Sequence, residues 1–378
     1  MDVVRRLDLA DLVKRKSCFL FGPRQTGKSF AIRQRLADYR CYNLLKTDVF
    51  LKLSREPQRL RQEIDDGEEI VVIDEIQKLP MLLDEVQLLI EEKGIRFLLT
   101  GSSARKLRRT GVNLLGGRAR EKRMHPFICS ELQDRFDLVR ALNVGTLPSI
   151  YLSDEPVEDL EAYVGTYLTE EIAAEAVVRN VPAFSRFLTV AGLCNGQILN
   201  YSNIASDAEV PRSTVQEYFQ ILRDTLLGDD LPAWRETTRR KPITTSKFFL
   251  FDIGVARHLQ NRTGLREGSP EFGEAFEGYL HHELRTYCDY SGKKALHYWR
   301  SSSGFGVDFI LDNRTAIEAK AKRTISDRDL RGLKALREEN LLPQHILVCL
   351  DDAPREKDGV TILPWDLFLE RLWGGEYG

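Results

Sequence analysis

The stretch Gly22-Pro23-Arg24-Gln25-Thr26-Gly27-Lys28-Ser29 lies between the apolar run Cys18-Phe19-Leu20-Phe21 and a helix-like segment from Lys28 to Tyr39, and it leaves few folds open. It fits G-x-x-x-x-G-K-[ST], which works only where a buried strand runs into a tight loop and then a helix. The glycines let the loop wrap so that backbone N–H groups face inward, and the helix N-terminus adds the positive end of its dipole. Such a loop cradles a polyphosphate, with Lys28 neutralising charge and the Ser29 hydroxyl ligating Mg²⁺. By itself the pattern is also a glycine turn before a helix.

A second apolar run, Ile70-Val71-Val72-Ile73, ends in Asp74-Glu75. A strand delivering carboxylates at its C-terminal edge puts Asp74 beside the Mg²⁺, and Glu75 beside a water that it can orient and deprotonate. Together the two motifs point to ATP and Mg²⁺ as cofactors. The third run, Phe97-Leu98-Leu99-Thr100, continues into Gly101-Ser102-Ser103. Ser102 fits a γ-phosphate sensor, and the same turn fits the cap of a helix starting near Ala104. Gly117-Arg118 follows. Runs this apolar are strands buried on both faces, and their alternation with helices predicts a parallel sheet in an α/β domain.

At 378 residues the chain is long enough for two or three domains. Apolar residues at 42% and charged residues at 30% are ordinary for a globular protein, and no apolar run is long enough to cross a bilayer. The N-terminus Met1-Asp2-Val3-Val4-Arg5-Arg6 lacks a signal-peptide core, so the expected location is cytoplasmic, without a membrane partner. The six cysteines stand singly, which speaks for reduced thiols. A net charge of −2 gives no global nucleic-acid signal, so any such surface is local.

From about Val157 to Val190 the pattern is helical. Then Ile204-Ala205, a turn near Glu209-Val210-Pro211 and a helix bearing Val215, Phe219, Ile221 and Leu222 have the form of a helix-turn-helix. Arg235 to Lys247 reads as a basic β-wing, and Arg239, Arg240 and Lys241 are its candidate DNA contacts; a solvated loop fits the same residues. The presumptive recognition helix has only Arg212 and Arg223 as cations, opposed by Glu217 and Asp224, which weakens groove binding by that helix.

Further on, strand-like Val307 to Leu311 and Ala316 to Lys320 carry Asp308, Glu318 and Lys320. Glu318 and Lys320 are two apart and share a face, so a hairpin brings them to Asp308. Asp308 and Glu318 would then hold a metal ion, Lys320 would activate water, and Glu277 would support from a helix. A strand-edge salt bridge has the same sequence.

The four motifs Gly22 to Ser29, Ile73 to Gln77, Thr100 to Ser103 and Gly117-Arg118, in this order, resemble the AAA+ ATPases, in particular the bacterial and archaeal family with an AAA+ domain fused to a DUF4143 region. The resemblance covers nearly the whole chain. It implies an AAA+ P-loop domain over 1–145, a helical connector and winged helix-turn-helix over 146–265, and a small α/β PD-(D/E)XK nuclease-like domain over 266–378. It makes Arg118 an arginine finger serving a neighbouring subunit, hence a homo-oligomer with a hexameric ring as the family default; a surface arginine in a basic stretch is the other reading. Gly306 departs from relatives that carry an acid two positions before the aspartate. The functions implied are ATP turnover acting on DNA, a nucleotide-dependent switch or scaffold for a protein partner, and an ATP-regulated nuclease.

Overall fold

The computed structural model describes residues 3–102, 105, 107, 115–171, 180–262, 264–292 and 294–377. Ser103 of the third motif, Ala104 after it, and Lys106, Arg108 and Arg109 of the basic stretch around Arg118 lie outside the described residues. The chain forms two compact units, residues 1–126 with 224–226, and residues 127–223 with 227–378.

In the first unit, β1 (Ser17–Phe21), β2 (Arg40–Asn43), β3 (Ile70–Asp74), β4 (Arg96–Gly101) and β5 (Ala119–Arg123) form a sheet in the order β2-β3-β4-β1-β5. Every pairing is parallel. The three apolar runs of the sequence are the three central strands, and β1 and β3 are buried at every position. The edge strands β2 and β5 are largely exposed, as their polar sequences require. Phe19, Val71, Ile73, Phe97 and Leu99 meet Leu53, Leu82, Val86 and Leu89 from the flanking helices in one core. Because all strands run the same way, Phe21, Asp74 and Gly101 end at the same sheet edge.

The second unit begins with helices, among them Leu138–Val144, Pro156–Ala162 and Val181–Leu193. The helices Tyr201–Asp207 and Arg212–Asp224 follow, the first capped by the Asn200 side chain and the turn between them made at Glu209 with φ 54°. They lie in sequence between the first and second strands of a three-stranded antiparallel sheet of β6 (Gln197–Ile198), β7 (Gly228–Leu231) and β8 (Lys247–Leu250), in the order β6-β8-β7.

The 21-residue helix Pro270–Tyr290, capped by Ser269 with Pro270 in its first turn, leads into a six-stranded mixed sheet. Its strands are β9 (Leu296–Arg300), β10 (Gly306–Leu311), β11 (Thr315–Lys320), β12 (Gln344–Cys349), β13 (Arg355–Lys357) and β14 (Val360–Pro364). The order is β13-β14-β12-β11-β10-β9, with β11, β12 and β14 mutually parallel along the sheet. β10 and β11 make the expected hairpin, turned at Asp312 and Asn313, both with positive φ.

The basic stretch does not build a free β-wing. The segment 232–246 is a loop between β7 and β8 that runs along edge strand β9: Trp234 N–H donates to Tyr298 O at 2.7 Å, Ile243 N–H to Arg300 O at 2.7 Å and Ser302 N–H to Lys241 O at 2.9 Å. The backbone groups that β9 would otherwise expose find partners there.

Candidate functional site

The phosphate loop leaves β1 and enters the helix Lys28–Arg35. It turns through Gln25 at φ 62° and Gly27 at φ 90°. Gly22 is required by close approach: a Cβ there would lie 2.4 Å from Met124 O. Arg5, buried, donates to Thr26 O at 2.7 Å and His125 O at 2.6 Å, so the N-terminal segment clamps the far side of the loop. Lys28 is buried, and its ammonium donates to Gly22 O at 2.6 Å and Pro23 O at 2.9 Å. Burial pushes it down to about 8, with Glu75 and Asp74 pulling the other way. A cavity of about 340 Å³ opens over this loop, lined by Arg24, Gln25, Gly27, Lys28, Ser29 and Glu75 together with Phe30 and Leu45.

At the end of β3, Asp74 is buried and both its carboxylate oxygens are used. Ser29 Oγ donates to Oδ2 at 3.0 Å, Asn43 Nδ2 approaches the same oxygen at 3.4 Å, and the Thr100 hydroxyl donates to Oδ1. Glu75 turns out of the strand with φ 65°. The Gln77 amide donates to the Glu75 carboxylate and, at 3.3 Å, to Ser102 Oγ, while its own Oε1 is buried without a hydrogen-bond partner. Residues of the helix after β1 and of the C-terminal ends of β3 and β4 therefore converge: Lys28 and Ser29, Asp74 and Glu75, Thr100 and Ser102. A hydroxyl and a carboxylate 3.0 Å apart at the mouth of an anion-binding loop are the hard oxygen donors that Mg²⁺ prefers, so these residues fit a Mg²⁺–nucleotide complex.

Arg118 stands elsewhere. The pairing Ser17↔Ala119 and Phe21↔Arg123 puts it at the opening of β5, the end of the sheet away from the loop that follows Phe21. It is half-exposed and paired with Glu91 at 2.7 Å.

In the second unit the structure brings Glu277, Asp308, Glu318 and Lys320 together, and adds Lys247 from β8. Lys247 Nζ is 2.8 Å from Glu277 Oε1 and 4.0 Å from Asp308 Oδ1. Lys320 Nζ bonds Glu318 Oε1 and lies 3.9 Å from Asp308 Oδ2, which also accepts from Ala319 N–H at 3.0 Å. Burial pushes Glu318 up to about 8, helped by Asp308 and opposed by Lys320. Burial raises Glu277 as well. Burial acts to lower Lys247, but Glu277 and Asp308 outweigh it and hold the ammonium above the usual lysine range. Among the described residues no group of three or more acids, histidines or cysteines is arranged to hold a metal ion. Two ammonium groups sit among these carboxylates, so this arrangement does not fit a divalent ion.

Of the loop cations, Arg240 is committed: it pairs with Glu338 and donates to Ala335 O at 2.9 Å, and its guanidinium lies over the Phe305 ring. Arg239 and Lys241 are exposed. Arg223 is taken up by Asp230 through two bonds of 2.9 and 3.0 Å.

Residues 14–133 match the AAA domain family, residues 135–266 a domain of unknown function (DUF8612) and residues 272–368 a second domain of unknown function (DUF4143). The chain thus carries an AAA domain at its N-terminal end, a DUF8612 region in its middle and a DUF4143 region at its C-terminal end. The chain is 23% identical over 255 residues to uncharacterized proteins of Mycobacterium tuberculosis and Mycobacterium bovis, a match spanning 64% of this chain and 56% of each relative. The chain thus covers little more than half the length of those relatives. Among solved structures, a Walker-type ATPase of Pyrococcus abyssi aligns with a TM-score of 0.46 and 16% identity, over 67% of this chain and 93% of its own. The replication initiator DnaA bound to AMPPCP and single-stranded DNA aligns at 0.30 and 12%, over 59% and 90%. Neither likeness is close enough to bear on function. Among the described residues no helix is long and apolar enough to cross a membrane.

Four side chains join these sites without a signal in their spacing: Arg5, Gln77, the Thr100 hydroxyl and Lys247. Thr100 and Gln77 lie inside recognised motifs. Arg5 and Lys247 reach their partners only through the fold.

Proposed function

We propose that this protein binds Mg²⁺–ATP on the Gly22–Ser29 loop and hydrolyses it. The observation that carries the reading is the contact of Ser29 Oγ with Asp74 Oδ2 at 3.0 Å beside a buried Lys28. Mg²⁺ would be held by Ser29 and Asp74, and when bound it neutralises charge on the phosphate oxygens. Lys28 exchanges the loop carbonyls for phosphate oxygens. Thr100 keeps Asp74 aimed, and Glu75 accepts the proton of the attacking water. Ser102 senses the terminal phosphate through its bond to Gln77. Arg118 faces away from the loop of its own subunit, which supports an oligomer in which it reaches a neighbour's nucleotide; a hexameric ring is the arrangement proposed.

Turnover acts on DNA in the first reading, supported by the exposed Arg239 and Lys241 on the 232–246 loop. A nucleotide-dependent switch for a protein partner is the second, and a specific observation favours it: Arg240 and Arg223 are already neutralised by Glu338 and Asp230. The location proposed is cytoplasmic.

The test is steady-state ATPase rate, alone and with double-stranded, single-stranded or four-way-junction DNA at low and moderate salt. Glu75→Gln is expected to lose turnover by about 10²-fold or more while retaining ATP binding. Full turnover in that variant removes the hydrolytic assignment. Salt-sensitive stimulation by one DNA form supports the first reading; indifference to all forms leaves the switch.

A further inference from the structure

We infer that Lys247 is a built-in counter-ion occupying the place a divalent cation needs, so that the Glu277–Asp308–Glu318 cluster takes a metal ion only when the Lys247 side chain is withdrawn. This inference does not depend on the ATPase reading.

The geometry comes first. Lys247 opens β8, whose backbone is paired on both sides, to β6 and to β7, so its side chain enters from a fixed base. Its ammonium is 2.8 Å from Glu277 Oε1, 4.0 Å from Asp308 Oδ1 and 5.4 Å from the centre of the Tyr298 ring. The other Asp308 oxygen faces Lys320 and the Ala319 N–H. One Asp308 oxygen is thus held by the Ala319 N–H, and the Lys247 ammonium stands 4.0 Å from the other. A metal ion bound at about 2.0–2.6 Å from oxygen would overlap the volume that the Lys247 ammonium fills.

Charge gives an independent argument. Three carboxylates face two ammonium groups, so the ionised cluster carries 2 − 3 = −1. The deficit is visible in Glu318, only 8% exposed, whose Oε2 is buried with no hydrogen-bond partner. A divalent ion added to both lysines would overshoot to +1, whereas one replacing Lys247 gives 2 + 1 − 3 = 0. Buried charge is tolerated when balanced. Of the two cations that could fill this place, an ammonium or a divalent ion, the structure holds the Lys247 ammonium.

The experiment uses the full-length chain, stripped with a chelator and free of nucleotide, titrated with Mn²⁺ while free Mn²⁺ is followed by electron paramagnetic resonance. Wild type is expected to show no Mn²⁺ site that depends on Asp308. Lys247→Met is expected to gain one equivalent of Mn²⁺, at least about tenfold tighter than any wild-type site, and to lose it when Asp308→Asn is added. Lys247→Arg keeps the charge and is expected to behave as wild type. A tight wild-type site abolished by Asp308→Asn overturns the inference, as does a folded Lys247→Met protein with no gain. Should Lys247→Met fail to fold without metal, circular dichroism after refolding with Mn²⁺ decides: recovery supports the inference and no recovery overturns it.

Discussion

Glu75 sits at φ 65°, a left-handed conformation that costs a glutamate of order 1–3 kcal/mol, and the bond from the Gln77 amide fixes its carboxylate there. Gln77 also touches Ser102, so one amide links the base to the sensing hydroxyl. Gln77→Ala is expected to lower kcat by about tenfold with KM for ATP within about twofold, since Gln77 positions the base and does not meet the nucleotide; steady-state kinetics reads both. A KM rising in proportion instead would place Gln77 in nucleotide binding. Much of this site was legible in the residues because its parts obey local rules. A loop between a buried strand and a helix dictates Gly22, Gly27, Lys28 and Ser29, and a strand end dictates Asp74 and Glu75. Arg5 was not legible: it reaches Thr26 and His125 only because the sheet brings the end of β5 back beside the phosphate loop.

At the scale of elements, the β10–β11 hairpin follows from its sequence, since two strand-like runs stand only a few residues apart and the turn through Asp312 and Asn313 sets the register that brings Asp308 to Ala319. The 232–246 loop does not. Its lysines and arginines read as a solvated wing, but Glu339, about 100 residues later, accepts the backbone N–H groups of Thr238, Arg239 and Arg240 at 3.0–3.1 Å. Its carboxylate is fully buried. No local pattern announces an anion that gathers three backbone donors across such a separation. Glu339→Ala leaves those donors unpaired and is expected to cost about 2–4 kcal/mol, with the loop becoming the first site of limited proteolysis. Urea unfolding and the position of the first cut check this; an unchanged midpoint would mean that the contacts with β9 suffice to hold the loop.

For the whole molecule, Arg118 separates stability from assembly. Its pair with Glu91 is solvent-exposed on both sides, so Arg118→Ala is expected to change unfolding free energy by no more than about 0.5 kcal/mol. If it serves a neighbouring subunit, wild-type ATPase activity per chain rises with protein concentration, and Arg118→Ala loses that rise by about 10²-fold or more in rate while ATP affinity per chain is kept. A variant with full, concentration-dependent turnover would leave Arg118 as a surface charge. The two compact units, unlike the apolar runs, are not written in any stretch of sequence. The second is knit together by pairs such as Trp234 with Tyr298 and Lys247 with Glu277, which join segments the composition shows only as separate.

β1 carries the phosphate loop, yet both strands that flank it, β4 and β5, are made roughly 80 and 100 residues after it. On a ribosome, the nucleotide loop of a nascent chain emerges with no neighbour for its strand, and only β2, β3 and β4 can pair in the order in which they appear. The interior place between β4 and β5 is filled late, by the earliest strand. Until Arg123 has cleared the exit tunnel, five residues of wholly buried sequence remain without their second partner, a stretch that a holding chaperone has reason to grip.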